Sequence, residues 1–152
     1  MLQSVALLHF YYGKLDKLRI YVAGPMQSIP AFNFPAFNYV AAFYRSNGHE
    51  VFNPAERDVK MHGEDVFKSA TGDIKDIAHT GFSLREALAA DTEYICLHAD
   101  TIVMLPGWEN SKGAQAEWAL ARALGHKIIY ATEALLDIGK SIYDRSKENC
   151  RS

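Results

Sequence analysis

Short apolar runs punctuate this chain, each closed by a turn-forming residue and followed by a stretch with helical spacing. Residues 18–23 (LRIYVA) stop at Gly24-Pro25, 50–52 (EVF) at Asn53-Pro54, and 101–105 (TIVML) at Pro106; 127–131 (KIIYA) form a fourth run. Apolar runs of this length bounded by breakers read as buried strands, and TIVML, apolar throughout, suits a central parallel strand covered on both faces. The intervening segments change period. Residues 33–47 place Phe34, Phe37, Val40, Ala41 and Tyr44 on one helical face, with Gly48 as a C′ residue. Residues 83–97 repeat Leu84, Ala87, Leu88, Asp91, Tyr94 and Ile95 at steps of three and four, 113–124 form a helix ending at Gly125, and a last helix spans roughly 133–140.

Strands alternating with helices predict a single three-layer α/β domain. Its core is a flavodoxin- or Rossmann-like parallel sheet of four to five strands, with right-handed crossovers and helices on both faces. Residues 1–17 read as an N-terminal extension or edge strand, 18–140 as the domain, and 141–152 as a tail. The polar, poorly periodic stretch 55–80 reads as a long binding loop or lid, with one helical turn near 64–69.

At 152 residues the chain has the length of one compact domain, and 49% hydrophobic with 22% charged residues is ordinary for a globular protein. A formal net charge of −2 argues against an electrostatic grip on a nucleic-acid polymer. Cys96 and Cys150 form no metal spacing or disulfide framework, so a reducing cytoplasm is the expected compartment. The apolar run at 4–12 (SVALLHFYY) is too short to span a bilayer and too apolar to leave exposed, which suggests an extra strand or an interface.

In open parallel sheets, ligands gather at the carboxyl ends of the strands. The loops that leave those ends carry Gly24-Pro25-Met26, Asn53-Pro54 and Pro106 to Ser111. The last runs into SKGAQAE (111–117), with Glu117 near a helix start. A carboxylate there complements the helix dipole and Ser111 suits an N-cap, so the fragment alone is compatible with plain helix chemistry. It is neither a P-loop nor a dinucleotide fingerprint. Asp91 is more informative, because an acid on an otherwise apolar helical face is costly unless it is paired or faces a cleft. Asp100 reads as a structural group at a strand start, and Arg85 as a surface charge or an anion contact. Phe32 or Trp108 is placed to stack on a base, with core packing the commoner use. His62 and His79 lack partners at zinc-ligand spacing.

Taken together, IYVAGPM (20–26), the helix bearing Asp91, the strand beginning after Asp100 and SKGAQAE resemble the nucleoside 2-deoxyribosyltransferase superfamily. That superfamily includes the 2′-deoxynucleoside 5′-monophosphate N-glycosidases. The wording LPGWENSKGAQAE looks most like a short branch met in phage and prophage genomes. The resemblance implies that Glu117 is a nucleophile forming a glycosyl-enzyme intermediate, that Tyr21 holds its carboxylate, and that Asp91 helps protonate the leaving base. It implies a substrate loop of Gly24, Pro25 and Met26, with Gln27 and Ser28 beyond, and no cofactor or metal. Ser111, with Gly113, replaces an acid common in the nucleoside transferases and favours a 5′-monophosphate. Gln115 and the Trp108-Glu109-Asn110 lead-in depart from the better-known members. The resemblance further implies a homodimer or larger homo-oligomer. The expected activity is a nucleotide N-glycosidase; base exchange by a deoxyribosyltransferase and a non-catalytic nucleotide sensor are the alternatives.

Overall fold

The protein is described by a computed structural model covering residues 16–150; most of the expected extension at 1–17 lies outside the described residues. Four strands, β1 (Arg19–Ala23), β2 (Glu50–Phe52), β3 (Thr101–Met104) and β4 (Lys127–Tyr130), form one parallel sheet in the order β2-β1-β3-β4. Tyr21 pairs with Phe52 on one side and with Ile102 on the other, and Ile102 pairs with Ile128. The chain steps outward from β1 to β2, then crosses back to β3. The switch point therefore falls between β1 and β3, where a doubly wound sheet opens a crevice.

Among the described residues, five α-helices connect and cover the strands: α1 (Phe34–Ser46), α2 (Pro54–His62), α3 (Leu84–Leu97), α4 (Lys112–Ala123) and α5 (Glu133–Asn149). Because strand side chains alternate between faces, β1 divides its residues between two cores. Ile20 and Val22 join Val103, Phe37, Val40 and Ala41 under α1 and α5, while Tyr21 and Ala23 join Ile102, Met104, Ile95 and Ala114 under α3 and α4. The three-layer α/β reading is thus correct, with four strands among the described residues.

Two segments depart from the sequence expectation. The loop expected at 55–80 begins with a true helix, α2, followed by 3₁₀ turns at Glu64–Phe67 and Ile74–Thr80. Asn53 is the reason: its side chain accepts the Ala55 N–H at 3.0 Å as an N-cap, and Pro54 occupies the first turn. Read from sequence, Asn53-Pro54 closes a strand; in the fold it also opens a helix. The last helix runs to Asn149 instead of ending near 140 in a frayed tail. A Lys140–Asp144 pair at 2.8 Å and the packing of Tyr143 edge-on to Tyr39, 5.8 Å between ring centres, carry it onward.

Helix α5 meets α1 closely enough that a Cβ on Gly139 would strike the backbone carbonyl of Tyr39. Glycine costs a helix interior about 1 kcal/mol relative to alanine, yet here it permits the contact. Gly139→Ala should therefore lower stability by about 2 kcal/mol despite its better helix propensity. Thermal denaturation followed by circular dichroism should show Tm falling by about 5 °C; an unchanged or higher Tm would remove close approach as the reason for this glycine.

Candidate functional site

The Tyr21 face of the sheet carries a buried polar cluster. Tyr21 points from β1 into the α3/α4 layer, and its hydroxyl donates to Glu117 Oε1 on α4 at 2.7 Å. Asp91 projects from α3 into the same space. All three are buried, with Tyr21 1%, Glu117 6% and Asp91 7% exposed. Asp91 Oδ1 has no hydrogen-bond partner among the described residues. The single phenolic proton is committed to Glu117, so Tyr21 cannot also satisfy Asp91.

An inner cavity of about 80 Å³ is lined by Tyr21, Gly24, Asp91, Gly113 and Glu117, and also by Asp58 of α2. An outer cleft of about 900 Å³ adjoins it and shares Gln27, Leu84, Leu88 and Gly113. Pro25, Gln27 and Ser28 from the loop after β1 face Asn110, Ser111 and Lys112 from the loop after β3 across this cleft. Ser111 is the N-cap of α4; its hydroxyl accepts the Ala114 N–H at 3.3 Å and keeps its own proton to donate. The capping role and a cleft-lining position coincide in one residue.

The loop that follows β1 is strained. Ser28, Ala31, Phe32 and Asn33 all have positive φ, between 48° and 64°. Left-handed backbone at Ala31 and Phe32 costs of the order of 1–3 kcal/mol each and persists only where surroundings enforce it. Here the Ser28 N–H bonds the Gly72 carbonyl at 3.0 Å, the Ala31 N–H bonds the Ser69 carbonyl at 2.8 Å, and the Asn33 amide donates to the Pro25 carbonyl at 3.0 Å. The segment around Ser69 and Gly72 thus buttresses the loop after β1.

Other expected residues fall elsewhere or act differently. A Cβ at Gly24 would lie 2.6 Å from Leu105 Cβ, so this glycine answers to protein packing as well as lining the cavity. Trp108 lines neither compartment; it packs 5.1 Å from Trp118 and 5.9 Å from Tyr130 in an aromatic cluster beside β4. Phe32 is buried at 5% exposure, 6.2 Å from Phe34. Arg85 is exposed on α3. Asp100 accepts the Arg19 N–H at 3.0 Å, the structural role expected. Asp58, ion-paired with Arg57 at 3.0 Å and only 4% exposed, has no signal in the sequence spacing, because the polar stretch that forms α2 resembles a loop. Once Asn53-Pro54 is recognised as a helix start, the acid falls on the same inward face as Ala55.

Burial dominates the protonation of the cluster. It raises Glu117 to about 8, against the Tyr21 hydrogen bond and with a further push from the Asp91 charge. Burial also raises Asp91 to about 7, aided by the Asp58 charge and opposed by Arg57 and by the nearby Tyr21 hydroxyl. Tyr21 is held well above its usual range by burial and by the Glu117 charge, so it remains a donor. Glu117 and Asp91 influence each other, and their two proton losses belong to the pair. Around neutral pH the pair retains a proton.

The chain belongs to the family described as a domain of unknown function (DUF4406), whose model matches residues 18–130. That span contains Tyr21, Asp58, Asp91, Ser111 and Glu117 and stops before α5. Searches of curated proteins and of solved structures find no match. Among the described residues no helix is long and apolar enough to cross a membrane.

Raised carboxyl values have a stability consequence. Their favourable contribution to folding is complete below the unfolded-state values near 4 and is lost as pH rises through about 7 and 8. Wild-type Tm should therefore fall between pH 5 and pH 8.5. Glu117→Gln or Asp91→Asn should flatten that fall, raising Tm by about 4 °C or more at pH 8 and little at pH 5. Parallel melting curves across pH would refute the assignment if variant and wild type declined alike.

Proposed function

We propose that this protein hydrolyses the N-glycosidic bond of a (deoxy)nucleoside 5′-monophosphate through a covalent intermediate on Glu117. The observation that carries this reading is the buried Tyr21–Glu117 hydrogen bond of 2.7 Å, beside an unpartnered Asp91 oxygen, in an inner cavity that adjoins a larger cleft. A structural acid of this kind would be an expensive choice for a core. The likeness of the segments around Tyr21, Asp91 and Glu117 to the nucleoside 2-deoxyribosyltransferase superfamily supports the same roles.

In this mechanism the sugar phosphate occupies the outer cleft. Its dianion is held by the Ser111 hydroxyl, the first N–H groups of α4 and Lys112, all at one helix start. A Glu117 carboxylate oxygen attacks the anomeric carbon. The glycosidic bond breaks with its electron pair moving to the base nitrogen, which takes the proton of Asp91. Positive charge developing on the sugar draws the negative charge of the pair onto Glu117, where the Tyr21 hydroxyl stabilises it. Water then attacks the same carbon, gives its proton to Asp91 and releases the sugar phosphate from Glu117. If a second base resolves the intermediate, the same residues perform base exchange.

Nucleosides and their 5′-monophosphates should be incubated with the protein and free base followed by chromatography. Release confined to monophosphates, and absent in Glu117→Ala, is the expected result. Base exchange without net hydrolysis would assign the transferase. Normal ligand binding by Glu117→Ala together with no release by wild type would assign a sensor.

The pH dependence gives a further check. For wild type, kcat/KM should trace a bell with limbs near 7 and 8, since one proton must leave the pair and one must remain. Asp91→Asn should reduce kcat by about 10²- to 10⁴-fold and abolish the alkaline limb. An unchanged bell in that variant would exclude Asp91 as the acid.

A further inference from the structure

Behind the inner cavity lies an apolar chamber of about 60 Å³ walled by Phe32, Val66, Ile74, Ile77 and Phe82. Met26, Gln27, Asp58, Phe82 and Leu84 line both spaces. Among the residues lining the chamber, Asp58 alone is ionisable. It is 4% exposed, and its Oδ1 accepts from Arg57 Nη1 at 3.0 Å. Its Oδ2 takes no hydrogen bond from a described residue. The chamber is lined by apolar aliphatic and aromatic side chains, and its polar side chains, the Asp58 carboxylate and the Gln27 amide, both also line the inner cavity, the composition of a site that takes an apolar-faced heterocycle and reads one edge of it.

Resting on the reading of the site as a nucleotide glycosidase, we propose that Asp58 is the base-reading residue. It selects bases that present an exocyclic amino group (adenine, cytosine or guanine) and rejects their oxo counterparts. A carboxylate held ionised by Arg57 can only accept hydrogen bonds. An amino group pairs with it; a carbonyl in the same place sets acceptor against acceptor and leaves both unpaired in a dry site. Burial raises Asp58 only to about 6, with Arg57 opposing the rise, so the acceptor form prevails above neutral pH. The base so held lies between Asp58 and Asp91, the group assigned to protonate it.

Matched pairs of 5′-deoxynucleotides test this: cytosine against uracil, guanine against xanthine, and adenine against hypoxanthine. Binding to Glu117→Gln is measured by calorimetry at pH 7.5, alongside kcat/KM of the wild type. The amino member of each pair should be preferred by at least about tenfold. Asp58→Asn, whose amide can turn an N–H toward a carbonyl, should collapse or reverse that preference in both assays. Equal treatment of the pairs, an unaltered preference in Asp58→Asn, or no binding of any monophosphate would overturn the proposal. Should Asp58→Asn fail to fold by circular dichroism, the wild-type pairs alone decide. Selective binding without base release would keep Asp58 as the reader while removing the hydrolytic reading; release without amino selectivity would do the reverse.

Discussion

For the Tyr21 phenol on β1 to reach the Glu117 carboxylate on α4, 96 residues later, the β1–β3 half of the sheet must hold its register. Strand side chains alternate with period two, so a slip of one residue would turn Tyr21 into the α1/α5 core and bring Ile20 or Val22 beneath α4. The hydrophobic pattern of β1 does not prevent such a slip, since both faces of the strand are covered. The packed layers on either side do. Ala23, Met104, Ala114 and Ala121 are small or unbranched where α4 settles on the sheet, and they bring the helix close enough for a 2.7 Å hydrogen bond.

The same contact fixes how the site stores energy. Three carboxyl groups, Asp58, Asp91 and Glu117, line one small cavity, and burial pushes each above its usual value. Only Arg57 and Tyr21 answer them with hydrogen bonds, the first to Asp58 and the second to Glu117. A fold selected for stability alone would fill this space with apolar side chains. The strained backbone at Ala31 and Phe32 adds to the cost on the facing loop. Both liabilities sit at the carboxyl ends of β1 and β3, and the remainder of the sheet is conventional packing.

How much of this was legible in the sequence depends on how each residue betrays itself. Asp91 was visible because an acid interrupts an otherwise apolar helical stripe, and Glu117 because it follows a strand, a turn and an N-cap. The four strands announce themselves as apolar runs with breakers after them. Asp58 gave no such signal: α2 is a short polar helix whose inward face holds Ala55 and an acid, so no apolar stripe marks it. Trp108 misled in the opposite direction, since an aromatic in a loop suits stacking on a ligand or on its neighbours equally. Trp118 and Tyr130, invisible to local spacing, decide for the neighbours. The extension of α5 to Asn149 likewise depends on Tyr39, a partner more than a hundred residues away.

The two faces of the sheet therefore divide labour in a way that period-two alternation imposes. On the Ile20/Val22 face every requirement is steric, down to Gly139, whose missing side chain lets α5 lie against α1. On the Tyr21/Ala23 face polar groups replace part of the apolar contact, and α3 and α4 carry acids into the interior. The steric face can hold the sheet in register without contributing to the polar cluster, so the cluster can be destabilising without unfolding the domain. Tyr21 stands at the junction. Its backbone belongs to the ladder that fixes β1 between β2 and β3, and its hydroxyl belongs to the site. A glutamate at a helix start is common; a glutamate held by a phenol that the whole sheet orients is a placed group, and the role proposed for Glu117 rests on that placement.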